Sequence, residues 1–321
     1  MVEENEKESE KKLVLGIYAL SPLHPGSGTY INSPVDLPIQ RERHTNFPVI
    51  YGQGLKGVLR NAYRRLKNDI EKEESIFGPR PENSREKSFS SAITICDAKI
   101  LLFPVRSLKG VFAYVTCPKV IERFFIDLYY SGLIKEELSS LLKKVPVINE
   151  DEIIIESESS LCVSSTDDKS KEQAKVVVLE DVVLKVKGDT TKLLNDFIPY
   201  VRNLLPADII ADKRFAVVSN DLFEQFVTMA TEINARIKIN YDTGVVETGA
   251  LWYEEDLPSD TLLYSLIIIG RPKKENETIK TAEDIANELK KNFNEKLVQI
   301  GGDETVGKGL CVLKFWEGEK K

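Results

Sequence analysis

The chain of 321 residues is poor in the side chains that most readily announce a chemistry. It has two histidines, His24 and His44, and four cysteines, Cys96, Cys117, Cys162 and Cys311. The cysteines are widely separated, form no Cys-x-x-Cys pair and have no histidine beside them. That spacing excludes the common zinc-ligand patterns and a disulfide framework, and it predicts small, semi-buried packing residues. No apolar run approaches the ~20 residues a membrane helix requires. The opening Met-Val-Glu-Glu-Asn-Glu-Lys-Glu is the reverse of a secretory leader, so a cytoplasmic protein without membrane contact is expected. No serine or cysteine nucleophile with a histidine partner is visible.

What is abundant is charge. Charged residues make up 30% of the chain, with a net charge of −7, which excludes a uniformly basic nucleic-acid-binding surface. The preference for Lys and Glu suits a heat-adapted protein. Against this acidic background, the stretch 36–67 holds Arg41, Arg43, Lys56, Arg60, Arg64, Arg65 and Lys67 but only Asp36 and Glu42. Long-range repulsion sets the encounter with an anion, whereas contacts within a Debye length of ~8–10 Å answer to this local island. Gly26 and Gly28 form a turn before it, and Gly52, Gly54 and Gly57 open a helix inside it. A helix start offers unbonded N–H groups, and glycine lets a phosphate approach the backbone. A tight turn followed by a solvated basic helix explains the same residues.

Along the chain, residues 1–11 read as a disordered polar leader and 12–321 as one domain with insertions. Leu13 to Leu20 is a buried strand. Leu55, Val58, Leu59, Ala62 and Leu66 recur at helical spacing, leaving Lys56, Arg60, Arg64 and Lys67 as a basic face. Residues 68–90 read as a loop insertion. Ile93 to Val105 and Val111 to Thr116 are strands, and Lys119 to Tyr130 and Lys135 to Lys144 are helices. The polar tract 164–171 between β-branched segments marks a protruding hairpin within about 150–190. Helices at Thr191 to Leu204 and Asp221 to Thr231 precede strands at Ile233 to Tyr241, Val245 to Trp252 and Leu262 to Ile269. Thr281 caps a helix reaching Leu297, with Asp284 completing a capping box. A glycine loop, Gly301 to Gly309, leads to a last strand, Cys311 to Trp316. The order fits an α+β protein with a ferredoxin-like or RRM-like core.

Gly302-Asp-Glu-Thr-Val-Gly307-Lys308 matches the start of a phosphate-binding loop, but Gly309 stands where a Ser or Thr should hold Mg²⁺, and a strand follows instead of a helix. A bound nucleoside triphosphate is therefore not expected. Asp36, between Pro34 and Pro38, reads as an Asx-turn residue when taken alone. Glu254 and Glu255 read as solvated carboxylates at a strand end. Trp252 and Tyr253 are able to stack on bases or to cap the core.

Three segments carry a resemblance: Leu-Ser-Pro-Leu-His-Pro-Gly-Ser-Gly at 20–28, Val-Asp-Leu-Pro-Ile-Gln-Arg-Glu-Arg-His-Thr at 35–45, and Phe-Pro-Val-Ile-Tyr-Gly-Gln-Gly-Leu-Lys-Gly at 47–57. Together they resemble the repeated backbone subunit of the Cmr (type III-B CRISPR) effector complex, a RAMP-superfamily protein. The resemblance implies a ferredoxin-like palm with a β-hairpin thumb, placed by pattern at about 150–190. It implies copies polymerised in a helical filament on a guide RNA, beside other Cmr subunits, and cleavage of a complementary single-stranded target RNA at regular intervals. Asp36 would be the catalytic residue and hold a divalent metal, Mg²⁺ or Mn²⁺, while the RNA 2′-hydroxyl attacks its own phosphodiester. His24 would be a general acid, a phosphate donor or a loop-stabilising residue, and Glu254 or Glu255 would assist the metal. Lys56, with Arg41, Arg43 and Arg60, would contact guide-RNA phosphates, and Lys308 another phosphate. Two alternatives share the resemblance: a guide-RNA scaffold that does not cut, and a stand-alone RAMP ribonuclease that processes precursor guide RNA.

Overall fold

In a computed structural model, residues 10–28, 35–80, 89–166, 173–187, 191–209 and 213–319 are described. Strand β1 (Lys11–Ala19) is buried from Leu13 onward, as a continuous apolar run between two neighbouring strands must be. It begins at Lys11, inside the leader expected over 1–11, of which residues 1–9 lie outside the described residues. A loop leads to β2 (Val49–Ile50) and helix α1 (Gly52–Lys67), which buries Leu55, Leu59 and Tyr63 at helical spacing. The helix ends at Asn68, whose φ of 49° lies in the left-handed region that stops helices.

The expected loop over 68–90 is corrected at its start by helix α2 (Ile70–Phe77), capped by Asp69, whose side chain accepts the Lys72 N–H at 3.1 Å. Its sequence hides the helix because Glu73 and Glu74 are buried and bonded to cations. Residues 81–88 of that loop lie outside the described residues. The strand expected over 93–105 divides into β3 (Ile93–Ile95) and β4 (Ala98–Arg106). At the break, Asp97 accepts the Gly52 N–H at 2.7 Å and so caps α1. Then follow β5 (Phe112–Thr116), α3 (Pro118–Tyr130), α4 (Leu138–Lys143), β6 (Glu152–Ile155), β7 (Val163–Thr166), β8 (Gln173–Leu179), β9 (Val182–Val186) and α5 (Thr191–Arg202). The last third contains β10 (Phe215–Val217), α6 (Asn220–Met229), β11 (Glu232–Ile239), β12 (Val246–Asp256) and β13 (Leu262–Ile269). Helix α7 (Ala282–Phe293) carries the expected capping box between Thr281 and Asp284, but it stops before Leu297, which belongs to a short strand, β14 (Lys296–Gln299). Strand β15 (Leu310–Trp316) closes the chain.

Among the described residues thirteen strands form one mixed sheet in the order β14-β15-β1-β13-β4-β5-β10-β6-β9-β8-β7, with β2 on β4 and β3 on β13. In the run β15-β1-β13-β4 each strand is antiparallel to its neighbour; α1 lies between β1 and β4 in the chain and α7 between β13 and β15. Helices α1 and α7 meet through Tyr63 and Phe293, ring centroids 6.5 Å apart, and through the Tyr63 hydroxyl, which donates to Glu288 at 2.9 Å. A second aromatic contact set joins α3, α5 and β13, with Phe124 edge-on to Tyr264 at 4.9 Å and to Phe197 at 6.0 Å. The buried apolar side chains form one continuous cluster.

Within 150–190, β6 and β9 join the main sheet and bury Ile153, Ile154 and Leu184, so only β7–β8 reaches the rim. The hairpin tip at 167–172 lies outside the described residues. A different hairpin, β11–β12, forms a sheet of its own and leaves Ile237, Leu251 and Tyr253 exposed, with Tyr241 at its tip 99% exposed. Among the described residues no helix is long and apolar enough to cross a membrane.

Candidate functional site

The chain leaving β1 and the chain ending β12 are laced together by backbone bonds. Leu23 and Leu257 exchange N–H and C=O at 2.8 Å each way. Further on, the Leu37 N–H donates to the Tyr253 carbonyl at 3.1 Å, and the Glu255 N–H donates to the Leu37 carbonyl at 3.0 Å. The segment 35–39 is therefore an extra short strand beside β12, which fixes the direction of every side chain on it. Asp36 faces outward and is exposed. Its Oδ2 accepts the Tyr253 N–H at 2.8 Å, which sets the carboxylate plane and leaves Oδ1 without a partner among the described residues.

The neighbouring acids are placed in the opposite way. Glu255 is buried; its Oε2 accepts the Ile39 N–H at 3.1 Å, and its Oε1 accepts the Arg41 guanidinium at 2.5 Å and the Thr231 hydroxyl at 3.0 Å. Arg41 spends its other donors on the Asn46 and Val227 carbonyls. Glu254 accepts from Lys308 at 3.2 Å and from the Trp252 indole at 3.0 Å, with Arg236 3.3 Å away. Burial pushes the Glu254 carboxyl up, but these partners outweigh it and leave it below the usual carboxylate range. Asp256 is fully buried and accepts from Lys308 at 2.7 Å and Asn234 at 2.8 Å. Lys308 is itself buried; burial pulls its ammonium down, yet Asp256 and Glu254 outweigh that and raise it above the ordinary lysine value.

Lys308 is therefore no open phosphate ligand but an internal cation that ties the glycine loop to β12. The loop contains a single 3₁₀ turn (Glu304–Val306) and no following helix. His24 lies under the same loop, 8% exposed. Its Nδ1 donates to the Glu255 carbonyl at 2.6 Å, and its own carbonyl accepts the Gly302 N–H at 2.9 Å. Gly301 sits at φ +83°, where a Cβ would lie 2.3 Å from the His24 carbonyl oxygen, so only glycine fits. Six of the nine residues singled out in the sequence thus gather here: Asp36 on the outside, and His24, Arg41, Glu254, Glu255 and Lys308 beneath it.

The other three lie apart. Arg43 stands exposed on the turn after Arg41, next to exposed His44. Lys56 is half-buried; its ammonium donates to the Ile93 carbonyl at 3.1 Å, and burial followed by the Arg60 charge lowers its pKa. Arg60 points at α2, donating to Glu73 at 2.7 Å and to the Gly78 and Pro79 carbonyls. With Arg64 and Arg80 it surrounds Glu73; burial would raise this carboxyl, but the three arginines hold it at about 2. Much of the basic face of α1 is thereby spent inside the protein. What stays open is a cleft of about 260 Å³ between Gly26, Gln40, Gly54, Gly301 and Gly302, at the start of α1. The Lys308 partners Asp256 and Asp303, and Arg236, which pairs with Glu254 and Asp303, were silent in the sequence, since nothing local brings them together.

Among the described residues no group of three His, Cys, Asp or Glu side chains is placed to hold a metal ion. Of the three carboxylates the sequence offered to a metal, Asp36 alone is exposed with an oxygen that has no partner among the described residues. Residues 17–312 match the RAMP superfamily. The chain is 43% identical over 311 residues to the "CRISPR system Cmr endoribonuclease Cmr4" of Pyrococcus furiosus, covering 96% of each chain. It is similar to the crystal structure of oligomeric Cmr4 from the same organism, with TM-score 0.68 and 34% identity in superposition, covering 97% of this chain and 99% of that one. It shares the fold of a chain in the cryo-EM structure of a type III-B Cmr-beta complex bound to cognate target RNA, with TM-score 0.72, 23% identity, and 96% and 98% coverage. Matched over nearly its whole length, the chain belongs to the RAMP superfamily.

Proposed function

We propose that the protein is the repeated backbone subunit of a cytoplasmic type III-B CRISPR ribonucleoprotein, binding guide RNA and cleaving complementary target RNA at regular intervals. The relative named a Cmr endoribonuclease, at 43% identity, supports this reading. The observation that carries the site is the contrast on one ladder: Asp36 is exposed and oriented, while Glu254 and Glu255 are consumed by internal ion pairs. Asp36 is accordingly the catalytic carboxylate; the two glutamates hold its strand and do not reach a metal. His24, bonded to the Glu255 carbonyl, keeps the loop in place rather than moving a proton.

At a target nucleotide displaced from the duplex, the 2′-hydroxyl oxygen bonds to the adjacent phosphorus and the bond to the 5′-oxygen breaks. The 2′-proton is given up and the departing 5′-oxygen takes one, leaving a 2′,3′-cyclic phosphate and a 5′-hydroxyl. The Oδ1 of Asp36, without a partner among the described residues, is the group available to orient that hydroxyl or accept its proton. A divalent cation, Mg²⁺ or Mn²⁺, when bound by Asp36 and the RNA, supplies charge neutralisation at the phosphate. Guide-RNA phosphates would approach the glycine-lined cleft at the start of α1, where no side chain of Gly26, Gly54, Gly301 or Gly302 covers the backbone. Base pairing would supply sequence specificity. The strands β15-β1-β13-β4 with α1 and α7 follow the β-α-β-β-α-β order of a ferredoxin-like palm. The free-standing β11–β12 hairpin suits the thumb better than 150–190, whose strands mostly extend the sheet.

Asp36→Asn in a reconstituted complex should lower target cleavage at least ~100-fold, within the usual contribution of a positioned acid or base, with target binding intact. Unchanged cutting by a complex that still binds target would sink the catalytic assignment. A complex that binds but never cuts in the wild-type form points instead to the scaffold. Metal-independent cleavage of repeat RNA by isolated subunit points to the processing nuclease.

A further inference from the structure

Among the described residues the sheet ends on one side in β14, which pairs there only with β15. Ile300 donates to the Gly309 carbonyl and Val298 lies opposite Cys311. By the alternation of an antiparallel ladder, the backbone groups of Leu297 and Gln299 then point to the open edge. Between this edge and the second half of α1 runs a groove of about 540 Å³. Val58 and Ala62 line its inner side, and Leu66 and Leu297 stand over it 60% and 56% exposed. Arg65, Lys67, Lys291 and Lys296 border it against the single carboxylate Glu304. Glu304 is bonded to Arg65, while the three lysines carry no ion pair among the described residues. This is a local cationic surplus on a protein of net charge −7.

A short edge strand bearing a lysine is a common guard against stray pairing. That guard does not account for two leucines left in solvent on facing elements, nor for four cations around them. We propose that this groove docks an extended segment of a partner protein with alternating acidic and apolar residues, added as a strand to β14. Backbone bonding to Leu297 and Gln299 would set its register, its apolar side chains would cover Leu66 and Leu297, and its carboxylates would meet the lysines. A single-stranded nucleic acid fits less well, because the groove presents aliphatic side chains; its one ring, Phe293, is buried and offers no stacking platform.

The test uses the full chain and a fluorescein-labelled ten-residue peptide of alternating valine and glutamate, followed by anisotropy. Saturable binding that weakens with salt is expected, and Lys291→Glu with Lys296→Glu should weaken it at least ~tenfold at unchanged melting temperature. The same peptide N-methylated at alternate backbone positions should fail to bind, because it cannot pair with the edge. No binding of the acidic peptide, equal binding of a valine–lysine peptide, or indifference to the charge reversals overturns the proposal. So does displacement of the peptide by oligouridine sensitive to the same reversals, which would make the groove a nucleic-acid site.

Discussion

Asp36 and Asp256 belong to adjoining segments of one backbone ladder, and their surroundings are opposite. Asp36 is exposed and holds one backbone N–H. Asp256 is fully buried, bonded to Lys308 and Asn234, with its Oδ1 3.7 Å from His24 Nδ1. A carboxylate taken out of water must be matched by nearby cations and donors or it costs several kcal/mol. Glu254 and Glu255 are matched inward and Asp256 through its Oδ2, its Oδ1 being buried without a hydrogen bond among the described residues, whereas Asp36 keeps its unbonded oxygen on an exposed side chain. Structural charge and chemical charge are thus separated by burial, not by residue type.

The largest expected effect comes from removing the cation shared by the buried pair. Lys308→Met should destabilise the fold by about 3–5 kcal/mol, because Glu254 and Asp256 would remain buried without it. Urea unfolding measures this, and a loss under ~1 kcal/mol would mean that the network carries little. Next is Glu73, held at about 2 against an ordinary 4.5. A depressed carboxyl contributes stability above its unfolded pKa and loses it as pH falls through the folded value. Glu73→Gln should therefore cost about 3 kcal/mol at neutral pH, at ~1.4 kcal/mol per pKa unit, and the gap from wild type should close between about pH 4.5 and 2. A gap that stays constant over that range would show that the arginines do not set the carboxyl. The smallest effect sharpens the comparison: Asp36→Asn should shift stability by no more than ~0.5 kcal/mol, as an exposed side chain does. A melting-temperature drop like that of Lys308→Met would place Asp36 among the structural acids.

Legibility in the sequence followed the same division. The apolar stripe of α1, the capping box of α7 and the run of β1 were readable because local spacing alone generates them. Helix α2 was not, since its inward face carries Glu73 and Glu74, which count as polar until Arg60, Arg64, Arg80 and Lys274 are known to meet them. Strand β14 was absorbed into the preceding helix, because four residues hold too little periodicity to be told from a helix end. The glycine loop had the residues of a phosphate cradle, yet its lysine turns inward, a choice made by acids on β12 more than fifty positions away in the chain.

The sequence by itself determined the family-like segments at 20–57 and most of the succession of helices and strands, properties of composition and near neighbours. Tertiary structure alone decided which charges face water. It drew Arg41, Arg60 and Lys308 inward and left Asp36 out, because the cost of burying a charge depends on partners that only the folded chain brings within reach.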